Sequence, residues 1–227
     1  MNADVEQDGY AIVPGVIGEV ERCELIALMG DLSGAGRRGL LGLPAIAALA
    51  RSSRLLDLVR GCFPAEESGL IEPVPVRAIY FDKSPSANWL VPWHQDLTLA
   101  LRDRAEVPGF GPWSVKEGIP HVQPPMELLG QMISVRLHLD DTDATNGALR
   151  VLPGSHRLGR LSAESIRELR AEQEDFLCVA SAGDALLMRP LLLHASGRST
   201  SERHRRVLHI EYAAFVLPAE LEWHDAA

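Results

Sequence analysis

His94, Gln95 and Asp96 place an imidazole and a carboxylate two residues apart, and His194 supplies a second imidazole far downstream. On a strand or its extension, positions i and i+2 project to the same side, so His94 and Asp96 converge while Gln95 points the other way. Two imidazoles and one carboxylate on a shared face leave three of six octahedral positions open, which suits a non-haem Fe(II) that must take up oxygen and a chelating co-substrate together. Eleven positions after His194 stands Arg205, followed directly by Arg206. A guanidinium there can grip a carboxylate through two parallel hydrogen bonds. In a strand the two arginines face opposite ways. Arg205 goes with Val207, His209 and Glu211, and Arg206 goes with Leu208, Ile210 and Tyr212. Periodicity alone leaves open which of them faces inward. An inward arginine with no counter-ion is expensive to bury, and a dianionic co-substrate gives a reason for it. The set points to an oxygenase that uses Fe(II), O2 and 2-oxoglutarate.

Other polar residues carry weaker signals. Arg136 and His138 share one face of a strand, so Arg136 meets an anionic substrate if that face lines the interior. Trp113 and His121 stand on a long loop and are candidates for touching substrate. His209 and Glu211 share a strand face and could pair behind the metal ligands, but read first as an ordinary surface pair. His156 and the pair Asn146-Gly147 read as turn chemistry.

The elements that must position these residues change character along the chain. A short strand is predicted around Asp8–Gly15, then a helix from Gly18 to Leu32 broken by Ser33–Gly36, then helices at Pro44–Ala50 and Ser53–Arg60. From Val74 onward the pattern is strands: Val76–Asp82, Met132–Leu139, Ala148–Leu152, Phe176–Ala180, Ala185–Met188, Leu191–Ala195 and Val207–Val216. In Met132–Leu139, Ile133, Val135, Leu137 and Leu139 alternate with Ser134, Arg136 and His138, a period of two. Many short strands separated by turn signals predict a sandwich or barrel. One helix, Ser162–Glu172, is inserted with Ser162 as its cap. Leu101–Leu129 carries five prolines and three glycines, fits no regular element, and is expected to be an irregular lid or wall of the site.

The chain has 227 residues, 46% of them hydrophobic and 23% charged, which suits one domain with a sizeable core: a helical flank over 1–73 and a β core over 74–217. A net charge of -9 argues against general binding to nucleic acid or an anionic membrane. Cys23, Cys62 and Cys178 are odd in number and scattered, which predicts reduced thiols and neither a disulfide framework nor a zinc knuckle. No basic-then-apolar leader or membrane-length apolar run is visible, so a cytoplasmic protein is expected.

Larger blocks extend the pattern. Asp82–Trp89 runs on to His94-Gln95-Asp96. Leu139-Asp140-Asp141 leads to Asn146–His156. His194-Ala195-Ser196-Gly197 is followed by Arg205-Arg206. These blocks, in this order over about residues 8 to 217, resemble the phytanoyl-CoA dioxygenase family. The resemblance implies a double-stranded β-helix (jelly-roll) core, mainly β, with flanking N-terminal helices. It implies His94, Asp96 and His194 as iron ligands, Arg205 as the holder of the distal carboxylate of 2-oxoglutarate, and Ser196 as a hydroxyl beside it. Lys83 and Gln95 are further co-substrate or pocket candidates, with a solvated lysine at a strand end as the plain alternative for Lys83. Related iron halogenases lack the carboxylate that Asp96 provides, so hydroxylation or another oxidation of a small-molecule substrate is expected. The competing reading is a jelly-roll metal- or ligand-binding protein without oxygenase activity, its triad holding zinc and a water. Such a module has no evident need of Arg205.

Overall fold

The computed structural model describes residues 2–30, 36–63 and 71–225. In chain order the strands are β1 (Tyr10–Val13), β2 (Gly36–Arg37), β3 (Val74–Lys83), β4 (Val91–His94), β5 (Leu99–Ala100), β6 (Trp113–Lys116), β7 (Ile119–Val122), β8 (Met132–His138), β9 (Leu149–Val151), β10 (Phe176–Cys178), β11 (Ala185–Met188), β12 (His194–Ser196) and β13 (Arg205–Ala213). The helices are α1 (Asn2–Gln7), α2 (Glu19–Met29), α3 (Pro44–Ala50), α4 (Ser53–Arg60), α5 (Met126–Gly130) and α6 (Ala163–Glu172).

Three antiparallel sheets result. A six-stranded sheet runs β1-β11-β8-β13-β3-β2, a four-stranded sheet runs β10-β9-β12-β4, and a three-stranded sheet runs β5-β7-β6. Side chains from the first two line one cavity, so these sheets face each other as the layers of a jelly roll.

The alternation in β8 and β13 explains why the large sheet can serve two ends. Ile133, Val135 and Leu137 of β8 and Leu208, Ile210 and Tyr212 of β13 join a core with Ile46 and Leu49 of α3 and Leu55 and Val59 of α4. Burying such a leucine or isoleucine fully is worth about 1.5–3 kcal/mol. Tyr212 also donates its hydroxyl proton to the Ala50 carbonyl at 2.8 Å, pinning α3 to the sheet. Ser134, Arg136 and His138 point the other way, and the register pairs His209 with Arg136. Both faces of β8 are therefore buried, one apolar and one polar.

Local signals set the helix starts. Pro44 stands at the first position of α3. Ser52 caps α4 by accepting from the Leu55 N–H, and Ser162 caps α6 by accepting from the Ser165 N–H at 3.0 Å.

Several expectations are corrected. Leu101–Leu129 is not irregular: β6 and β7 form a hairpin that pairs with β5, and α5 follows. The turn of that hairpin takes Glu117 and Gly118 through positive φ. Strands of four residues are too short for a period-two pattern to stand out among so many prolines and glycines. The strand expected at Leu191–Ala195 is only His194–Ser196, because residues 191–193 turn first. The last strand is Arg205–Ala213 rather than Val207–Val216. The helical flank contributes β1 and β2 to the large sheet. Cys62 and Cys178 are buried thiols, but Cys23 is exposed. The break expected at Ser33–Gly36 falls mostly outside the described residues. Among the described residues no helix is long and apolar enough to cross a membrane.

Candidate active site

Register brings the two histidines together. β4 and β12 are neighbours, and His94 pairs directly with His194. Their ring centroids lie 4.2 Å apart. Asp96 follows the end of β4, where its backbone N–H donates to the Pro190 carbonyl at 2.8 Å. The ligand atoms of His94, Asp96 and His194 all lie within 4.8 Å of one another.

The imidazoles are oriented from behind. Nδ1 of His94 lies 2.9 Å from the Pro92 carbonyl, and Nδ1 of His194 lies 2.8 Å from the Leu192 carbonyl. A carbonyl can only accept, so each Nδ1 carries the proton and each Nε2 presents its lone pair. That is the second hydrogen bond by which metal-binding histidines are usually held. The Nε2 atoms stand 3.6 and 3.7 Å from the Asp96 carboxylate oxygens. These separations are too long for good hydrogen bonds and suit donors arranged around a shared ion. Burial pushes His194 down to about 4, against the pull of Asp96, which keeps the ring neutral. Burial pushes the Asp96 carboxyl up, but the His194 and His94 rings outweigh it and hold the acid far below its ordinary range. The donor set therefore fits a divalent metal.

Across the cavity, β13 settles which arginine faces inward. Arg205 is 3% exposed and lines the cavity. Arg206 turns out and binds Asp140 through both nitrogens at 2.7 Å. Among the described residues Arg205 has no carboxylate partner, and its Nε has no hydrogen-bond partner at all. Burial, and then the nearby Arg136, push its guanidinium down to about 9, still charged at neutral pH.

Lys83 is wholly buried. Its Nζ donates to Ser196 Oγ at 2.8 Å and to the Gly197 carbonyl at 2.5 Å. Ser196 Oγ in turn donates to the Gly147 carbonyl at 2.8 Å. Burial, followed by Arg205, pushes Lys83 down to about 7. Gly147 is required here: its φ is +78°, and a Cβ would meet the Gly197 carbonyl oxygen at 2.7 Å. The Asn146-Gly147 turn therefore also shapes the floor beneath Lys83 and Ser196.

The cavity holds about 200 Å³. His94, Asp96, His194, Ser196, Arg205 and Arg136 all face it. Gln95 does not. Its amide donates to the Gly159 and Leu191 carbonyls and accepts from the Leu161 N–H, anchoring a loop behind the His94, Asp96 and His194 cluster. Trp113 packs beneath Arg104, and His121 is buried behind the hairpin with Nδ1 against the Ile119 carbonyl; neither lines the cavity. His138 is buried against Thr142 rather than in the cavity. His156 binds the Glu6 carbonyl, in keeping with its turn.

The expected surface pair of His209 and Glu211 instead stands in the cavity wall, His209 buried and Glu211 partly so. Arg136 Nη1 lies 3.1 Å from His209 Nδ1, His209 Nε2 lies 3.3 Å from Glu211, and Arg77 reaches Glu211 at 3.2 Å. Sequence reasoning did not select Arg38, Arg77 or Lys116, which also line the cavity. A signal for Arg77 existed: it shares a strand face with Ile79, Phe81 and Lys83.

Comparison with known proteins agrees with this geometry. The model of the phytanoyl-CoA dioxygenase family (PhyH) matches residues 37–207. The sequence matches no curated protein. Among solved structures, the chain is similar to AviO1 from Streptomyces viridochromogenes Tue57, with 21% identity and a TM-score of 0.66 over 95% of this chain and 94% of that one. It is also similar to the epimerase SnoN in complex with Fe3+, alpha ketoglutarate and nogalamycin RO, with 19% identity and a TM-score of 0.69 over 93% and 81% of the two chains. A third is EctD from S. alaskensis with 2-oxoglutarate and 5-hydroxyectoine, with 18% identity and a TM-score of 0.68 over 94% and 74%. At such identities these three establish likeness of fold. The family match spans most of the sequence and includes all three metal-ligand candidates together with Arg205, so the chain belongs to the phytanoyl-CoA dioxygenase family of non-haem iron, 2-oxoglutarate-dependent oxygenases.

Proposed function

We propose that this protein couples oxidative decarboxylation of 2-oxoglutarate to hydroxylation of a C–H bond in a small organic molecule. The observation that carries this reading is the pairing of two sites in one cavity. A His-Asp-His cluster has both Nε2 lone pairs free, and a buried arginine opposite it lacks a counter-ion. Iron bound there would let O2 act as the oxidant: one oxygen atom would go to 2-oxoglutarate as it loses carbon dioxide to become succinate, and the other to the substrate as its new hydroxyl.

The chain's own residues bind, orient and exclude water. His94, Asp96 and His194 would hold the metal by Nε2, a carboxylate oxygen and Nε2. Three protein ligands on one side leave the other positions to co-substrate and oxygen. Arg205 would take the distal carboxylate of 2-oxoglutarate. Ser196 and Lys83 lie beside it, Lys83 adding a charge when protonated. The two sheets shield the cavity, and the hairpin of β6 and β7 closes one side through Lys116. Excluding water protects a strong oxidant from side reactions. The zinc-binding alternative leaves Arg205 without a purpose. The SnoN and EctD crystals that hold iron or 2-oxoglutarate lend support to the same ligands here.

The test is succinate formation from 2-oxoglutarate by the purified protein with Fe(II) and O2, followed in parallel with Asp96→Ala. The expected outcome is metal-dependent succinate in the native chain and only background in the variant. Full activity in Asp96→Ala would mean that the triad is misassigned.

A further inference from the structure

The chain carries a net charge of -9, yet its cavity is cationic. Arg38, Arg77, Lys116, Arg136 and Arg205 line it, against only Asp96 and Glu211. A divalent metal would be balanced by Asp96 and the keto-acid carboxylate of 2-oxoglutarate, and Arg205 by its distal carboxylate. Glu211 balances Arg77 at 3.2 Å. Arg38 has the rim residue Glu117. Arg136 and Lys116 are left uncancelled.

Arg136 is the more telling of the two. It is 8% exposed, its Nε has no hydrogen-bond partner, and among the described residues it has no carboxylate partner. Among the described residues it makes a polar contact with the ring of His209 at 3.1 Å, and Phe81 lies under its guanidinium with 5.7 Å to the ring centroid. An isolated buried charge destabilises a fold by several kcal/mol unless something compensates it, so its retention calls for an occupant. Lys116 stands on the β6 edge of the hairpin, exposed, with Nζ donating to Thr98 Oγ1 at 3.3 Å. Both cations lie near enough to Asp96 to feel its charge, and Arg136 lies near Arg205 and Lys83 as well.

We propose that the substrate oxidised here bears an oxyanion, a carboxylate or a phosphate, that is held by Arg136 with Lys116 assisting from the hairpin. This rests on the oxygenase reading and narrows it to an acid substrate. Arg136 on a rigid central strand sets where the anion sits relative to the metal. Lys116 on the hairpin gives the loop a reason to settle when the anion arrives. A neutral substrate would leave the buried charge of Arg136 without a counter-ion.

The experiment is calorimetric titration, without oxygen, of the protein loaded with Fe(II) and 2-oxoglutarate. Three probes of like shape are used: benzoate, phenyl phosphate and benzamide. We expect benzoate or phenyl phosphate to bind about tenfold or more tightly than benzamide, from the strength of charge-assisted hydrogen bonds. Whichever anion binds better names the oxyanion. Arg136→Gln should abolish the preference, Arg136→Lys should restore part of it, and Lys116→Gln should weaken it a few-fold. The native-chain comparison needs no variant, so a poorly folded variant does not blunt it. Equal binding of all three probes overturns the proposal. So does displacement of an anion by a tenfold rise in 2-oxoglutarate, because Arg136 would then belong to the co-substrate. Failure of the native protein to bind 2-oxoglutarate at all overturns the oxygenase reading and this proposal with it.

Discussion

The two faces of the six-stranded sheet are equally hidden from water and are built for opposite purposes. Toward α3 and α4, Leu137, Leu208 and Ile210 pack among other apolar side chains and stabilise the fold. Toward the cavity, Arg136, Arg205 and His209 are as deeply buried, but the two arginines lack counter-ions among the described residues. Burial alone does not separate a core from a site. What separates them is whether buried groups are satisfied by the protein itself, and unsatisfied buried charge is where function is to be sought.

That contrast can be broken by substitution. Leu137→Ala removes packing from the apolar face and should destabilise the protein by about 2–5 kcal/mol, read as a lower midpoint in denaturant, with little change in the affinity of the folded molecules for 2-oxoglutarate. Arg205→Gln should do the reverse. Losing its charge-assisted bonds should weaken 2-oxoglutarate binding by about a hundredfold in a direct titration, while thermal stability stays level or rises because a buried charge has gone. If Arg205→Gln proves as destabilising as Leu137→Ala and leaves 2-oxoglutarate affinity intact, the two faces do not differ in the way described.

A pH experiment sharpens the same comparison. Lys83 is pushed down to about 7 in the folded chain by burial and then by Arg205. In the unfolded chain it titrates at about 10.4. Between these values the unfolded state binds the extra proton, so stability should rise with pH from about 7 to 10.4. The penalty is complete below the folded value. Denaturant midpoints across this range should show the slope in the native chain and its loss in Lys83→Met. Saturating 2-oxoglutarate should flatten it too, because an anion nearby keeps Lys83 charged. The smallest effect is expected at Arg206, whose pairing with Asp140 is partly exposed. Arg206→Ala should cost about 1 kcal/mol or less and leave co-substrate binding unchanged, in contrast to its neighbour Arg205.

The sequence made the cluster of His94, Asp96 and His194 legible because the HxD spacing and a second histidine ending an apolar run carry their own geometry. Period-two alternation marked β8 and β13 with their two faces. It could not say which face of β13 looked inward, because both are almost wholly buried and the sheet has no solvent side to break the tie. The hairpin of β6 and β7 was hidden by its shortness and its prolines. The burial of His209 and Glu211 depended on Arg77 and Arg136, partners that come from other strands and leave no local trace. Lys83 read equally as a pocket contact and as a solvated strand end, and its burial is decided by residues 146–147 and 196–197, which close over it.

The most direct test is a crystal structure of the protein grown without oxygen in Fe(II) and 2-oxoglutarate. The account predicts one ion bound by His94 Nε2, Asp96 and His194 Nε2, with the keto-acid end of 2-oxoglutarate on that ion and its far carboxylate on Arg205. An ion held elsewhere, or a co-substrate that leaves Arg205 untouched, would contradict it.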